Sequence, residues 1–428
     1  MILIYTAATT YRLQYICQFI FKEQLGVPYS LTLNVEGFRE YEGPRINYSD
    51  KNFEGKVFNI KNHSILFEKE IIPQSITVSD SLAYKIFFKI DDSAFSFDIF
   101  AATFYLLSRY EEYLPNVKDM YGRYAHENSL AFKEGFLNKP IINIWLNDFS
   151  KQLQTFFPSI AFKPAAFSFL PTYDIDIAWS FRSKGILRNA GGFLKSPSLD
   201  RFKVLLRMKP DPFDAYDFLD QLHQEQHIHP VYFFHVAAGG SRFDKNIKRD
   251  SVAMVDLIKR HTNKYSIGLH PSWKSNDDPS LLNEEKAYLE NLCGVTITNS
   301  RQHYIRFNLP ETFETLLSTG IINEYSMGYG SINGFRASVA SSFYWYNLYT
   351  ERQTALRILP FCYMDANSYF EQKLTADQAF EELLHYYTIC KEVNGTLITI
   401  FHNNFLGEGK HRQWKEMYKK FITGTISN

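Results

Sequence analysis

From about residue 166 onward, short apolar runs of strand length alternate with longer segments in which apolar residues return every three or four positions. The runs at 166–173, 231–235, 266–270, 294–298, 334–337, 357–363 and 396–402 read as strands. Those at 215–226, 252–260, 281–292, 311–317 and 376–393 read as helices. The last helix is framed at both ends: Thr375 and Gln378 form a capping box, and Gly395 follows its final turn. Elements that alternate in this way build a parallel sheet with right-handed crossovers, closed as a barrel or open and doubly wound.

The first 160 residues lack this rhythm. Residues 2–5 read as a strand, and 10–24 as a helix with Leu13, Ile16, Cys17 and Ile20 on one stripe. Strand-like pieces follow at 57–60 and 64–67, and a periodic helix at 98–113 stops at Leu114-Pro115. Pro158 and Pro164 mark a boundary. The expectation is a smaller α+β domain over 1–160, with a supporting or regulatory role, followed by an α/β domain over 161–428.

Chemistry collects at the C-terminal ends of the later strands. The stretch Ser168-Phe-Leu-Pro-Thr-Tyr-Asp-Ile-Asp ends in Asp174 and Asp176, which strand alternation places on one face. Two such carboxylates repel unless a bound cation or a division of roles separates them. Later strand ends carry His235, His270, Arg336, Asp365 and His402. A lone D-x-D reads as a solvated loop end, but parallel strands deliver this whole series to one side of a sheet, as a site would need. His235 is expected to pack or support rather than to ligate.

Taken in order, Thr172-Tyr-Asp-Ile-Asp, Ile267-Gly-Leu-His-Pro-Ser, Gly334-Phe-Arg-Ala and Leu397-Ile-Thr-Ile-Phe-His-Asn resemble the motifs of the polysaccharide deacetylase (NodB-homology) superfamily. The likeness covers roughly residues 166–425 and is to the branch with a T-x-D-x-D first motif and an extra N-terminal domain. It implies a distorted (β/α) barrel and a divalent metal, usually zinc, serving the hydrolysis of an N-acetyl group on a sugar. By that likeness Asp174 is the general base, Asp176 and His270 are metal ligands, and Arg336 orients the base. His402 is then the general acid, and Asp365 the carboxylate that tunes it. Where the family's second motif has another histidine four residues after the first, this chain has Lys274, whose ammonium cannot ligate. His303, which follows the next expected strand, is the expected third ligand and completes the three protein donors of a hydrolytic zinc site. The implied substrate is an acetylated glycan or amino sugar. A catalytically inactive glycan-binding protein on the same fold and a hydrolase of non-sugar C–N bonds stay open as alternatives.

Charge and cysteine usage narrow the setting. The 46 basic and 46 acidic residues cancel, so no global field selects nucleic acid. Cys17, Cys293, Cys362 and Cys390 are scattered without C-x-x-C spacing, which argues against a cysteine zinc site and fits a reducing, cytoplasmic compartment. Met1-Ile-Leu-Ile-Tyr reads as a first strand rather than a signal peptide, and no apolar run reaches the length of a membrane span. One local excess remains. Residues 180–209 hold eight basic side chains against the single acid Asp200, with Phe202, Leu205, Leu206 and Met208 among them. The segment reads either as a solvated helical insertion or as a basic amphipathic surface for an anionic membrane or glycan, which would make the protein peripheral.

Overall fold

A computed structural model describes residues 1–81, 84–90, 93–184 and 199–426. The chain divides into two units, each discontinuous in sequence. One comprises Met1–Ser168, Phe335–Pro360 and Ile389–Thr396; the other comprises Phe169–Gly334, Phe361–Thr388 and Leu397–Asn428.

In the first unit, the stripe Leu13, Ile16, Cys17 and Ile20 is fully buried. Thr10 caps this helix by accepting the Leu13 N–H at 3.1 Å, and the helix Tyr11–Cys17 runs on as a wider π-helical stretch, Gln18–Gln24. Four short strands form a sheet in the order Tyr29–Thr32, Ile2–Thr6, Arg45–Tyr48, Phe58–Ile60, and every neighbouring pair is parallel. This sheet is parallel, and the same unit also holds antiparallel pairs, Ser79–Asp80 with Lys85–Ile86 and Phe343–Asn347 with Arg352–Ile358. Tyr29–Thr32 and Arg45–Tyr48 escape the sequence pattern because four-residue strands are too short to register a period. The expected strand at 64–67 is a single 3₁₀ turn, Ser64–Leu66. The helix Ile99–Leu107 is buried on every side. Its N-cap Asp98 accepts the N–H groups of Phe100 and Ala101, both at 3.0 Å, and also the Tyr48 hydroxyl and the His63 N–H at 2.7 Å. Burial still pushes the Asp98 carboxyl up to about 6 against these bonds.

The second unit is built on a large parallel sheet. Its strand order is Asn323–Glu324, Asn299–Ser300, Ser266–His270, Val231–His235, Ser168–Ile175, Thr396–His402, Tyr363–Met364. Registers in this sheet set Asp174 beside Phe233 and His235 beside His270, and the pairs recorded are parallel. Among the described residues, Tyr363–Met364 is paired on one side only, and no pairing closes the sheet into a barrel. Gly268 matters to the packing: a Cβ there would lie 2.4 Å from a ring carbon of Phe233. Its bareness lets that ring lie across the strand.

Three expected strands are placed differently, and of the one at 357–363 only the ends fall in strands, in Arg352–Ile358 and Tyr363–Met364. The one at 294–298 is the two-residue Asn299–Ser300, because Gly294 takes φ +68° and is still ending the helix Pro279–Cys293. No strand forms at 334–337. Of the basic stretch 180–209, residues 185–198 lie outside the described ones. The remainder includes a helix, Leu199–Leu205, on which Leu199, Phe202 and Leu205 are exposed, followed by exposed Leu206 and Met208. No described helix is long and apolar enough to cross a membrane.

Candidate metal and acid–base site

The strand ends of the second unit bring five of the expected residues around one point. Asp174, buried at the end of Ser168–Ile175, and Asp176, just beyond it, both reach the Nε2 of His270, at 3.9 and 3.0 Å. That is the shared face the i, i+2 spacing demands. His303 follows the short strand Asn299–Ser300, and its Nε2 lies 3.6 Å from Asp176 Oδ2. His402, last residue of Thr396–His402, brings its own Nε2 to 3.7 Å from the same oxygen.

The wiring of the two inner histidines suits a cation. The Nδ1–H of His270 donates to the Arg301 carbonyl at 2.6 Å, which leaves Nε2 as a bare lone pair aimed at Asp176. Asp176 Oδ1 is itself buried without a hydrogen-bond partner, so two acceptors face each other across 3.0 Å. A positive ion between them resolves that clash. His303 is wired likewise, its Nδ1 lying 3.2 Å from Asp244 Oδ1 in the pattern of a carboxylate–histidine–metal relay. Donors about 2.1 Å from a tetrahedral ion stand about 3.4 Å apart, and the 3.0 and 3.6 Å separations bracket that value. The donor atoms of Asp176, His270 and His303 all lie within 4.8 Å of one another, so these three residues fit a divalent metal. Electrostatics agree. Burial lowers His303, but Asp176 and Asp244 outweigh it and lift the ring to about 9. Burial raises Asp176, and the charge of His303 leads the effects that overcome it and hold the carboxyl well below the usual carboxylate range.

Asp174 is held by a different arginine from the expected one. Arg301 Nη1 donates to Asp174 Oδ1 and to Thr172 Oγ1, each at 2.7 Å, while Nε donates to the Tyr325 carbonyl at 3.1 Å. The guanidinium is fully buried and lies 4.4 Å from the centroid of the Phe233 ring. Arg336, expected to orient Asp174, sits in the first unit and grips Glu112 with two bonds of 2.9 and 2.6 Å. Glu112 also accepts Arg109 Nε at 2.7 Å; burial raises its carboxyl, and the two guanidinium groups overcome that and bring it to about 2. Arg336 and Glu112 thus form a two-bonded ion pair within the first unit, and within the second unit the guanidinium that touches Asp174 is that of Arg301.

Asp365 is buried beside the last strand and takes both donors of His402: the backbone N–H at 2.7 Å and the ring Nδ1–H at 2.6 Å. Burial lowers the His402 ring, but Asp365, then Asp176 and Asp174, lift it to about 10. With Nδ1 bonded to Asp365, Nε2 is the ring nitrogen that points at the site.

Comparison with known proteins supplies two likenesses. Residues 2–158 match a family described as "Family of unknown function (DUF7033)". No curated protein matches the chain. Among solved structures, the chain resembles one assigned as a polysaccharide deacetylase from Mycobacterium smegmatis, at 12% identity over 62% of this chain and 87% of that one, with a TM-score of 0.41. A polysaccharide deacetylase from Bacillus cereus is similar at 11% identity over 61% and 87%, with a TM-score of 0.33. A family 4 acetyl xylan esterase from Clostridium thermocellum, solved with a cobalt ion, is similar at 13% over 60% and 83%, with a TM-score of 0.29. At such scores these are likenesses only, and the chemistry of the site is argued from its own residues.

Sequence reading missed Arg301 and Asp244. Arg301 stands one residue beyond a two-residue polar strand, where no period marks it; the available signal was its place two residues before His303. Asp244 lies in the irregular stretch after Gly239-Gly240, where nothing in the spacing ties it to His303. Lys274 is exposed on the 3₁₀ turn Trp273–Asn276. The backbone after His303 is strained, with Tyr304 at φ +60° and the β-branched Ile305 at φ +55°.

Proposed function

We propose that this chain is a metal-dependent hydrolase that removes an N-acetyl group from an amino sugar in a glycan or glycan precursor, on a barrel of the polysaccharide deacetylase type. The observation that carries the reading is the convergence of an arginine-held carboxylate, Asp174, a triad of metal donors and His402, whose ring is fixed by Asp365, on one point. A divalent ion, most simply zinc, held by Asp176, His270 and His303 would supply Lewis acidity, acidifying a water and polarising the amide carbonyl. Asp174 takes the proton from the attacking water. Arg301 fixes the direction of that carboxylate and balances its charge. His402 gives its Nε2 proton to the departing amine, and Asp365 holds the ring in the tautomer that can do so.

Lys274 in place of a histidine favours the rival of an inactive glycan-binding protein, and a non-sugar amide remains the third reading. Acetate release separates them. Purified chain loaded with Zn²⁺ and given N-acetylglucosamine oligomers is expected to free acetate and expose primary amines. Binding of the oligomers without acetate release would leave the inactive reading, and neither binding nor release would leave the non-sugar one.

The basic helix region suits an anionic lipid surface, with exposed Leu199, Phe202, Leu206 and Met208 set among Arg201, Lys203, Arg207 and Lys209, and a cytoplasmic protein could work there peripherally. Vesicle binding is expected to rise with anionic lipid, fall with salt and disappear when these four cations are replaced by Gln, each contact contributing about 1 kcal/mol. Equal binding to neutral and anionic vesicles, or to neither, would return the segment to a solvated surface.

A further inference from the structure

Behind His303, away from Asp176, lies a second group of donors that the hydrolytic reading does not use. His235, Asp244 and His303 are all buried, with exposures of 1%, 3% and 5%, and their donor atoms fall within 4.8 Å of one another. The contact between His303 and Asp244 alone is explained as support for the first metal. His235 is not explained that way. Its Nδ1 lies 3.2 Å from the His270 carbonyl, which takes the ring proton, and its Nε2 is then a bare lone pair. That Nε2 is buried, has no hydrogen-bond partner, and faces Asp244 Oδ1 at 3.4 Å. Asp244 Oδ1 already accepts the Trp273 N–H at 2.9 Å, and Oδ2 accepts the Ser241 hydroxyl at 2.7 Å. Carboxylate and imidazole thus meet as two acceptors with no proton between them. His270 and Asp176 meet in the same way, and His235 carries the same backbone-carbonyl anchor that marks His270 as a ligand.

We infer that His235 Nε2, Asp244 Oδ1 and His303 Nδ1 form a second divalent-cation site, and that His303 bridges the two ions. Binding there displaces the ring proton that His303 shares with Asp244, and this proton leaves to solvent as the imidazole becomes an imidazolate. The chemical class of ligand is a borderline divalent ion such as Zn²⁺ or Co²⁺, which accepts mixed imidazole and carboxylate donors. The inference rests on the assignment of the first metal in the hydrolytic reading.

The test counts ions. Full-length chain stripped with a chelator and dialysed against Zn²⁺ is expected to carry two ions by elemental analysis, and His235→Ala or His235→Gln one, with circular dichroism checking the fold. In the Co²⁺-loaded wild type, magnetic coupling between two ions through the imidazolate is expected, which needs no variant to fold. One ion in the wild type, two uncoupled ions, or equal counts in wild type and folded His235 variants would overturn the second site. A single ion with acetate release intact removes this inference alone, whereas an absence of any bound ion removes the hydrolytic reading with it.

Discussion

Asp174→Asn is expected to lower the rate of acetate release by roughly a thousandfold while the variant keeps its metal, because the amide cannot take the proton that the carboxylate takes. Asp174 touches the ligand set only through its 3.9 Å approach to His270, so occupancy should survive. His402→Ala is expected to lose about 10²–10⁴-fold, the range of a missing general acid. Arg301→Gln and Arg336→Gln divide the roles of the two arginines. The first frees the Asp174 carboxylate and should cut kcat; the second strands Glu112 beside Arg109 alone in the first unit and should chiefly lower Tm, a buried ion pair broken on one side costing about 3–5 kcal/mol. Unchanged turnover in both Asp174→Asn and His402→Ala would end the acid–base assignment.

His303→Ala is expected to lose metal as severely as His270→Ala, beyond the roughly 10–100-fold that removal of an outer partner brings. Lys274→Ala should keep it, since that ammonium is exposed on its 3₁₀ turn and His303 Nε2 lies at 3.6 Å from Asp176. Metal content after dialysis, measured on variants with an unchanged far-UV spectrum, reads this directly. Full occupancy in His303→Ala would remove His303 from the ligand set.

The strands at Val231–His235, Ser266–His270 and Thr396–His402 were legible because each is a mainly apolar run that ends in a histidine. Local pattern was enough to place Asp174 and Asp176 on one face and to bring the histidine-ended strands to the same side of a parallel sheet. What pattern could not supply was pairing at a distance. Arg301 reaches Asp174 across 127 positions, and Arg336 reaches Glu112 across 224. Motif order pointed to Arg336 and carried no signal for Arg301, the guanidinium that touches Asp174. The chain is also cut into its units at several points, and a boundary sought at one proline-flanked place cannot find a returning segment such as Phe335–Pro360.

Arg301 enters this site twice, through its carbonyl to His270 Nδ1 and through its side chain to Asp174. The separation between the proposed base and a metal-facing imidazole is therefore set by the covalent length of one amino acid, and neither can be re-aimed without pulling on the other. Side-chain replacement cuts one tether and leaves the other, so a variant that is slow but still loaded with metal is the natural phenotype at this position. Backbone change is less forgiving: a shift of the chain at residue 301 moves acid–base and metal chemistry together, and insertions or deletions near it should be tolerated far less than substitutions of the side chain itself.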